Sequence, residues 1–188
     1  MNDNNMFEAS QDRICTQNPS VTTSLVDVTH ILEQRVKLPC RVLFKNEFEQ
    51  PSGSFKLRGI GNLIRTSIQK AGAISPSNIH VFASSGGNAG LAAAYASRYY
   101  NVKCTVVVPR NTLAHVVQKL KLFGALVVLH GATIGEADVY ARSLLASCGD
   151  GVHTIYCHPF DNPLIWEGHS KIVDEIFSQI PCSDFHKV

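Results

Sequence analysis

Residues 79–108 read IHVFASSGGNAGLAAAYASRYYNVKCTVVV and contain three structural signals in a row. Ile79–Ala83 is an apolar run, the alanine-rich segment 91–100 favours a helix, and Lys103–Val108 is a second, nearly continuous apolar run. Short apolar runs of this kind are typical of strands that are buried on both faces. A strand, a helix and a strand in this order predict a βαβ unit with two parallel strands.

The alternation of strands and helices continues on both sides of this unit. Amphipathic helices are predicted at residues 57–70, 113–123 and 134–148, and further strands at residues 125–129 and 154–157. Buried strands that alternate with helices predict an α/β fold, in which helices cover both faces of a parallel sheet.

The flanking segments show weaker patterns. Residues 41–47 alternate apolar and polar side chains, which predicts a short strand. Residues 165–180 predict a helix with an apolar stripe, which we expect to stay uncovered unless a partner packs on it. The stripe consists of Ile165, Ile172, Val173, Ile176, Phe177 and Ile180. We expect Trp166 to lie in the core.

The composition excludes several classes of protein. With 45% hydrophobic residues among 188, the chain is too apolar to be disordered, and it has no run long enough to span a bilayer. The first twenty residues are polar and lack the apolar stretch of a signal peptide, so we expect a soluble, cytoplasmic protein. The net charge of +2 is evenly spread, which argues against binding to nucleic acids or membranes. The six cysteines lack the spacing of a disulfide framework or a metal site.

The first loop with chemical character is PSGSFKLRGIG, residues 51–61. Lys56 follows a turn and opens a predicted helix, where the positive end of the helix dipole disfavours the charged amine. An uncharged amine is what Schiff-base chemistry requires. The alternative is a solvated lysine at a helix start, because most lysines are exposed.

The second loop is SSGGNAG, residues 84–90, between a predicted strand and a predicted helix. Its glycines allow a ligand to approach the backbone, and the N–H groups at a helix start form an anion site. The phosphate-loop and dinucleotide fingerprints are absent, since neither G-K-[ST] nor G-x-G-x-x-G occurs here. A glycine-rich turn without a ligand is the alternative interpretation.

Together, PSGSFKLRG and SSGGNAG resemble the fold type II (tryptophan synthase β-like) family of pyridoxal-phosphate enzymes. Within that family the chain is most similar to the L-serine/L-threonine dehydratases (ammonia-lyases), especially the fungal catabolic ones. TVVVP at 105–109 and HPFDNPLIWEGH at 158–169 add to the resemblance, which covers about residues 22–177.

The resemblance implies a role for each residue of the two loops. Lys56 would form the Schiff base with pyridoxal 5'-phosphate and then remove the Cα proton of L-serine or L-threonine. Phe55 would pack against the pyridine ring, and Asn88 would hydrogen-bond its phenolic oxygen. Ser85 and Gly86 would hold the substrate carboxylate. The products would be pyruvate or 2-oxobutanoate, and ammonia.

The resemblance also implies a division into domains. Residues 59–158 would form a complete small α/β domain, and residues 22–58 with 159–188 an incomplete large domain, after a polar and flexible segment 1–21. The family's glycine-rich phosphate loop would follow further along. We therefore expect a C-terminally truncated dehydratase with little activity of its own, whose tail 181–188 departs from the family.

Other interpretations remain open at this level. Arg58 can contact the cofactor phosphate, but the usual exposure of arginine favours a surface position on the helix. The family usually forms homodimers. The chain can instead be a non-catalytic fragment that pairs with a separately encoded C-terminal half through the 165–180 stripe. A nucleotide-binding α/β module is the third possibility.

Overall fold

The computed structural model describes residues 17–181 and shows an α/β protein. Its elements are β1 (Leu25–Asp27), α1 (Thr29–Glu33), β2 (Leu43–Lys45), α2 (Lys56–Ala71), β3 (Ile79–Ser84), α3 (Asn88–Tyr99), β4 (Lys103–Val108), α4 (Ala114–Leu122), β5 (Leu126–Leu129), α5 (Ile134–Ala146), β6 (His153–Cys157) and α6 (Pro163–Gln179). From α2 onward every predicted helix and strand is confirmed, although several ends shift by one to three residues. Most of the segment 1–21 expected to be flexible lies outside the described residues.

Strands β3 to β6 form one parallel sheet in the order β5-β4-β3-β6. The side chains of β4 alternate between two cores, because successive residues of a strand point to opposite faces. Val106 and Val108 belong to the large core formed with α2 and α3, whereas Val107 packs with Ala137 and Ala141 of α5. Helices therefore cover both faces of the sheet, as the alternating pattern predicts.

Two expectations from composition concern the cysteines and the possible membrane spans. Cys40, Cys104, Cys148 and Cys157 are free thiols, while Cys15 and Cys182 lie outside the described residues. In the part of the chain that the structure covers, no helix combines the length and the apolar character needed to cross a membrane.

The region before α2 departs from the sequence prediction. Residues 41–47 were expected to form one strand, but β2 is limited to Leu43–Lys45 and runs antiparallel to β1. Strand β2 ends after the third residue pair of its ladder with β1, because the chain then forms a 3-10 turn at Glu47–Glu49 and continues toward α2. Strand β1 and helix α1 are too short to leave a periodic signal in the sequence.

Helix α6 corrects two predictions. The apolar stripe was expected to be uncovered, but Ile165 is fully buried and Ile172, Ile176 and Ile180 are half-buried because α6 packs against α2. Only Val173 and Phe177 of the stripe are exposed. Trp166 was expected in the core, yet it is 55% exposed, and its Nε1 donates to the carbonyl of Phe160 at 3.0 Å.

Arg58 corrects a third prediction. A surface position was expected, but the side chain is only 2% exposed and lies between two carboxylates. Its guanidinium donates two hydrogen bonds to Glu47, both at 2.8 Å, and two to Glu175, at 2.6 and 2.7 Å. Lys45 also donates to Glu175, at 2.8 Å, and Thr23 donates to Glu47, at 2.6 Å. This cluster, here called the Arg58 cluster, connects the N-terminal segment, α2 and α6.

The charges of the Arg58 cluster stabilise one another. Burial raises the pKa of Glu175, but hydrogen bonds from Arg58 and Lys45 outweigh it and hold that pKa at about 2. Burial likewise raises the pKa of Glu47, and hydrogen bonds from Arg58 and Thr23 bring it below the ordinary value. Both carboxylates are therefore ionised at neutral pH, and each satisfies part of the buried guanidinium.

Acid unfolding should depend on Glu175. Because its pKa falls from 4.5 to about 2 on folding, the stability it contributes is present above pH 4.5 and is lost as the pH falls toward 2. We expect Glu175→Gln to lower the free energy of unfolding at pH 7 by about 1.5–3 kcal/mol and to flatten the acid dependence. Urea unfolding at a series of pH values measures both effects.

Asp174→Asn is the matched control, since this neighbouring carboxylate is exposed and pairs with Lys171 on the surface. It should change the free energy of unfolding by less than about 0.5 kcal/mol. Parallel acid curves for Glu175→Gln and the unmodified chain would contradict the assignment.

Candidate functional site

Lys56 is the first residue of α2 and follows the turn 51–55. Gly53 has φ +86° in this turn, a left-handed conformation that glycine adopts without strain. The hydroxyls of Ser52 and Ser54 are buried and have no hydrogen-bond partner among the described residues. The turn thus brings Lys56 to the start of the helix, as predicted, and leaves two buried polar atoms unused.

The Lys56 amine lies among aromatic rings. Its Nζ donates to the carbonyl of Pro159 at 2.9 Å and lies 5.1 Å from the ring centre of Phe55 and 4.7 Å from that of Phe160. Burial lowers the pKa of the amine. The direction agrees with the sequence prediction, and removal of the amine from water is its cause.

Ser85 and Gly86 lie in the loop that joins β3 to α3, and Asn88 is the first residue of α3; residues 84–90 are here called the asparagine loop. The N–H of Gly87 donates to Ser85 Oγ at 3.2 Å, and Asn88 begins α3 as an exposed residue. The Asn88 side chain makes no hydrogen bond with any residue in the range 17–181. Its amide is therefore available to a ligand.

The sheet register places the two loops side by side. Ala83 of β3 pairs with Cys157 of β6, so Ser85 and Pro159 each follow paired residues by two positions. Pro159 is the residue whose carbonyl accepts from Lys56. The lysine and the asparagine loop are thus brought to the same carboxyl edge of the sheet, although no hydrogen bond of the described residues joins them directly.

A polar network beneath the asparagine loop was missed by the sequence analysis. Asp138 of α5 accepts from Ser84 Oγ at 2.6 Å, from the Tyr156 hydroxyl, and from Arg142 Nε at 2.9 Å. Burial raises the pKa of Asp138, but hydrogen bonds from Ser84 and Tyr156 hold it at about 2. The network fixes the last residue of β3 and therefore the start of the loop.

His169 is a second residue of the site that sequence reasoning did not assign to it. Its ring lies 4.9 Å from that of Phe55, centre to centre, and both ring nitrogens are buried without a hydrogen-bond partner among the described residues. Burial first, and then the charges of Lys56 and Arg58, lower the pKa of His169 to about 4. Within residues 17–181, no three His, Cys, Asp or Glu side chains group as a metal ion would require.

The chain is similar to known pyridoxal-phosphate dependent enzymes. The family model described as "Pyridoxal-phosphate dependent enzyme" matches residues 22–188. An L-serine dehydratase of Saccharomyces cerevisiae (strain YJM789) is 51% identical over 142 residues, which are 74% of this chain and 42% of the relative. A catabolic L-serine/threonine dehydratase of S. cerevisiae (strain ATCC 204508 / S288c) is 49% identical over 149 residues, which are 77% of this chain and 41% of the relative.

The fold is similar to that of a solved fungal L-serine ammonia-lyase from Rhizomucor miehei, with a TM-score of 0.73 and 34% sequence identity. The match covers 87% of this chain and 48% of that structure. The chain thus spans less than half the length of these relatives. Because the family match reaches residue 188, the expectation that the tail 181–188 departs from the family was wrong.

Gly90 offers a direct test of how tightly the asparagine loop is built. A methyl group on Gly90 would overlap the carbonyl oxygen of Ser85, which is a backbone atom and cannot simply rotate away. We expect Gly90→Ala to lower the free energy of unfolding by about 1–3 kcal/mol, measured in urea. Gly149→Ala is the control, because a methyl group there meets nothing within 4 Å. Equal stability of the two variants would show that the loop is not held as described.

Proposed function

Because the chain belongs to the family of pyridoxal-phosphate dependent enzymes, we propose that it carries part of the site for eliminating water from L-serine and L-threonine. The products of this reaction are pyruvate or 2-oxobutanoate, together with ammonia. About half of the aligned residues are identical to those of the dehydratases, and this similarity supports the choice of substrate. The desolvated Lys56 amine between aromatic rings is the observation that carries the proposal.

The residues around Lys56 fit an aromatic phosphate cofactor. Phe55 offers a ring face, Asn88 offers an uncommitted amide, and Ser52 and Ser54 offer buried hydroxyls that lack partners among the described residues. Buried polar atoms without partners are costly, so a ligand that satisfies some of them would be stabilised. The site therefore provides both the apolar contact and the hydrogen bonds that such a group uses.

Each residue has a proposed role in this reaction. Pyridoxal phosphate, when bound, supplies the electron sink for the charge that develops at Cα. Lys56 holds the cofactor through its amine and then moves the proton of substrate Cα, which its lowered pKa favours. Phe55 would pack on the pyridine ring, and Asn88 would orient it by a hydrogen bond to the phenolic oxygen. Ser85 and Gly86, in the loop just before α3, would bind the substrate carboxylate.

We further propose that the chain alone binds the cofactor weakly and has little activity. Arg58 does not serve the phosphate, because its guanidinium is bound by Glu47 and Glu175. Each charge-assisted hydrogen bond missing from a phosphate site costs about 1.5–3 kcal/mol, and affinity falls tenfold for about every 1.4 kcal/mol.

The division into a small domain (59–158) and part of a large domain (22–58 and 159–188) belongs to the same proposal. The Arg58 cluster supports it, since Glu47 and Glu175 come from the two parts of the proposed large domain and both bind Arg58. A cytoplasmic location and assembly into homodimers remain predictions from the sequence and the family.

The lysine is tested by trapping. Purified chain mixed with pyridoxal phosphate and then reduced with borohydride should carry a covalent adduct on the peptide that contains Lys56, detected by mass spectrometry. Lys56→Ala should abolish this adduct, while Lys70→Ala, which removes an exposed lysine at the end of the same helix, should leave it intact. L-serine should yield little pyruvate.

Different results would contradict the role of Lys56 and the claim of weak activity. An absent adduct, or one distributed over many lysines, would overturn the assignment of Lys56. Pyruvate formed from L-serine at the rate of a full-length relative would leave that assignment in place and overturn the claim of weak activity.

A second candidate function is a non-catalytic subunit that pairs with a polypeptide supplying the part of the relatives that this chain does not span. Four large apolar side chains favour it: Phe44, Phe48, Val173 and Phe177 are 51–71% exposed. They lie on β2, the turn after it and α6, elements that the Arg58 cluster ties together. Exposed apolar groups of this size are typical of interaction surfaces.

Co-expression tests this pairing. The region of the R. miehei ammonia-lyase that lies outside the match should co-purify with the tagged chain and should lose this binding with Val173→Asp. Val139→Asp on α5, also at an exposed valine, is the control. A chain that stays monomeric and soluble in the presence of this region would contradict the second function.

A further inference from the structure

His169 lies behind Phe55, on the side of α2. The two rings are tilted by 56° with their centres 4.9 Å apart. The His169 ring also touches the first turn of α2, because a methyl group placed on Gly59 would lie 2.5 Å from its Cε1. The imidazole thus fills the space between Phe55 and Gly59, one turn from Lys56.

The imidazole is uncharged at neutral pH. Both of its nitrogens are buried and lack a hydrogen-bond partner among residues 17–181, and burial is the main reason that its pKa is about 4. The charged groups that face it are Lys56 and Arg58 of α2, which disfavour its protonation, and Glu47 of the 3-10 turn, which favours it less strongly. The ring therefore behaves as an aromatic spacer rather than as an acid or base.

We infer that His169 is a positioning residue, whose uncharged ring holds Phe55 beside Lys56 and keeps water away from the amine. Phe55 is 39% exposed, so its own burial does not fix its orientation. The contact with His169 supplies that constraint, and Phe55 in turn covers Lys56. The inference rests on Lys56 being the reactive amine of the proposed function, but its test needs no bound cofactor.

The test measures Lys56 in the purified chain without ligand. Trace acetylation over a range of pH, followed by mass spectrometry of the Lys56 peptide, reports the pKa and reactivity of that one amine. We expect His169→Ala to move the pKa of Lys56 toward its ordinary value of 10.5 and to lower its acetylation rate at pH 8 several-fold. Each unit of increase in pKa leaves about tenfold less uncharged amine.

Three further single variants and one double variant separate the ring from other roles. His169→Phe keeps an uncharged ring and should retain the reactivity of Lys56 without loss of stability, because it removes two unpartnered nitrogens. Phe55→Leu should lower the reactivity as His169→Ala does, and the double variant should lower it no further, since both act through one contact. His80→Ala, which removes a partly buried histidine stacked on Phe82, is the control.

Two results would overturn the inference. One is an unchanged acetylation profile in a folded His169→Ala chain. The other is a loss of reactivity in His169→Phe, which would show that the nitrogens matter rather than the ring, and this result is readable even if His169→Ala does not fold. Neither depends on cofactor binding, so a failure of the proposed function is detected separately by the borohydride experiment.

Discussion

The guanidinium of Arg58 is held from two sides, by Glu47 of the segment before α2 and by Glu175 of α6. A buried charge of this kind persists only where its donors are satisfied. The segment before α2, α2 itself and α6 must therefore meet at one place. Arg58 is two residues after Lys56, and α6 also carries His169. The position of the Lys56 amine and of its aromatic surroundings therefore depends on an ion cluster that lies outside the proposed site.

The second constraint is the parallel register of β3 and β6. It brings the carboxyl ends of the two strands together, and with them the asparagine loop and the loop that accepts the hydrogen bond from Lys56. Asp138 supports this edge from α5 through Ser84 and Tyr156. The site is thus assembled where open parallel sheets bind ligands, beyond the carboxyl ends of their strands.

Much of this arrangement was predictable. Strands β3 and β4 and helices α2 to α5 leave strong local signals, because a buried strand is a continuous apolar run and an amphipathic helix has a 3.6-residue period. Lys56, Phe55, Ser85, Gly86 and Asn88 were predicted as site residues because they lie in two short motifs. The burial of Arg58 was not predictable, since its partners are 11 and 117 residues away. Trp166 was misplaced because residue type alone does not say which side of α6 faces α2.

The sequence by itself determined the α/β class, the order of the strands and helices from α2 onward, and the two loops to which we assign the chemistry. These properties are local, because each depends on residues within one turn, one strand or one motif. Only the tertiary structure decided that Arg58 is a buried ion-pair centre, that α6 packs against α2, and that His169 lies against Phe55. Such contacts join residues far apart in the chain, and their existence depends on how the helices pack.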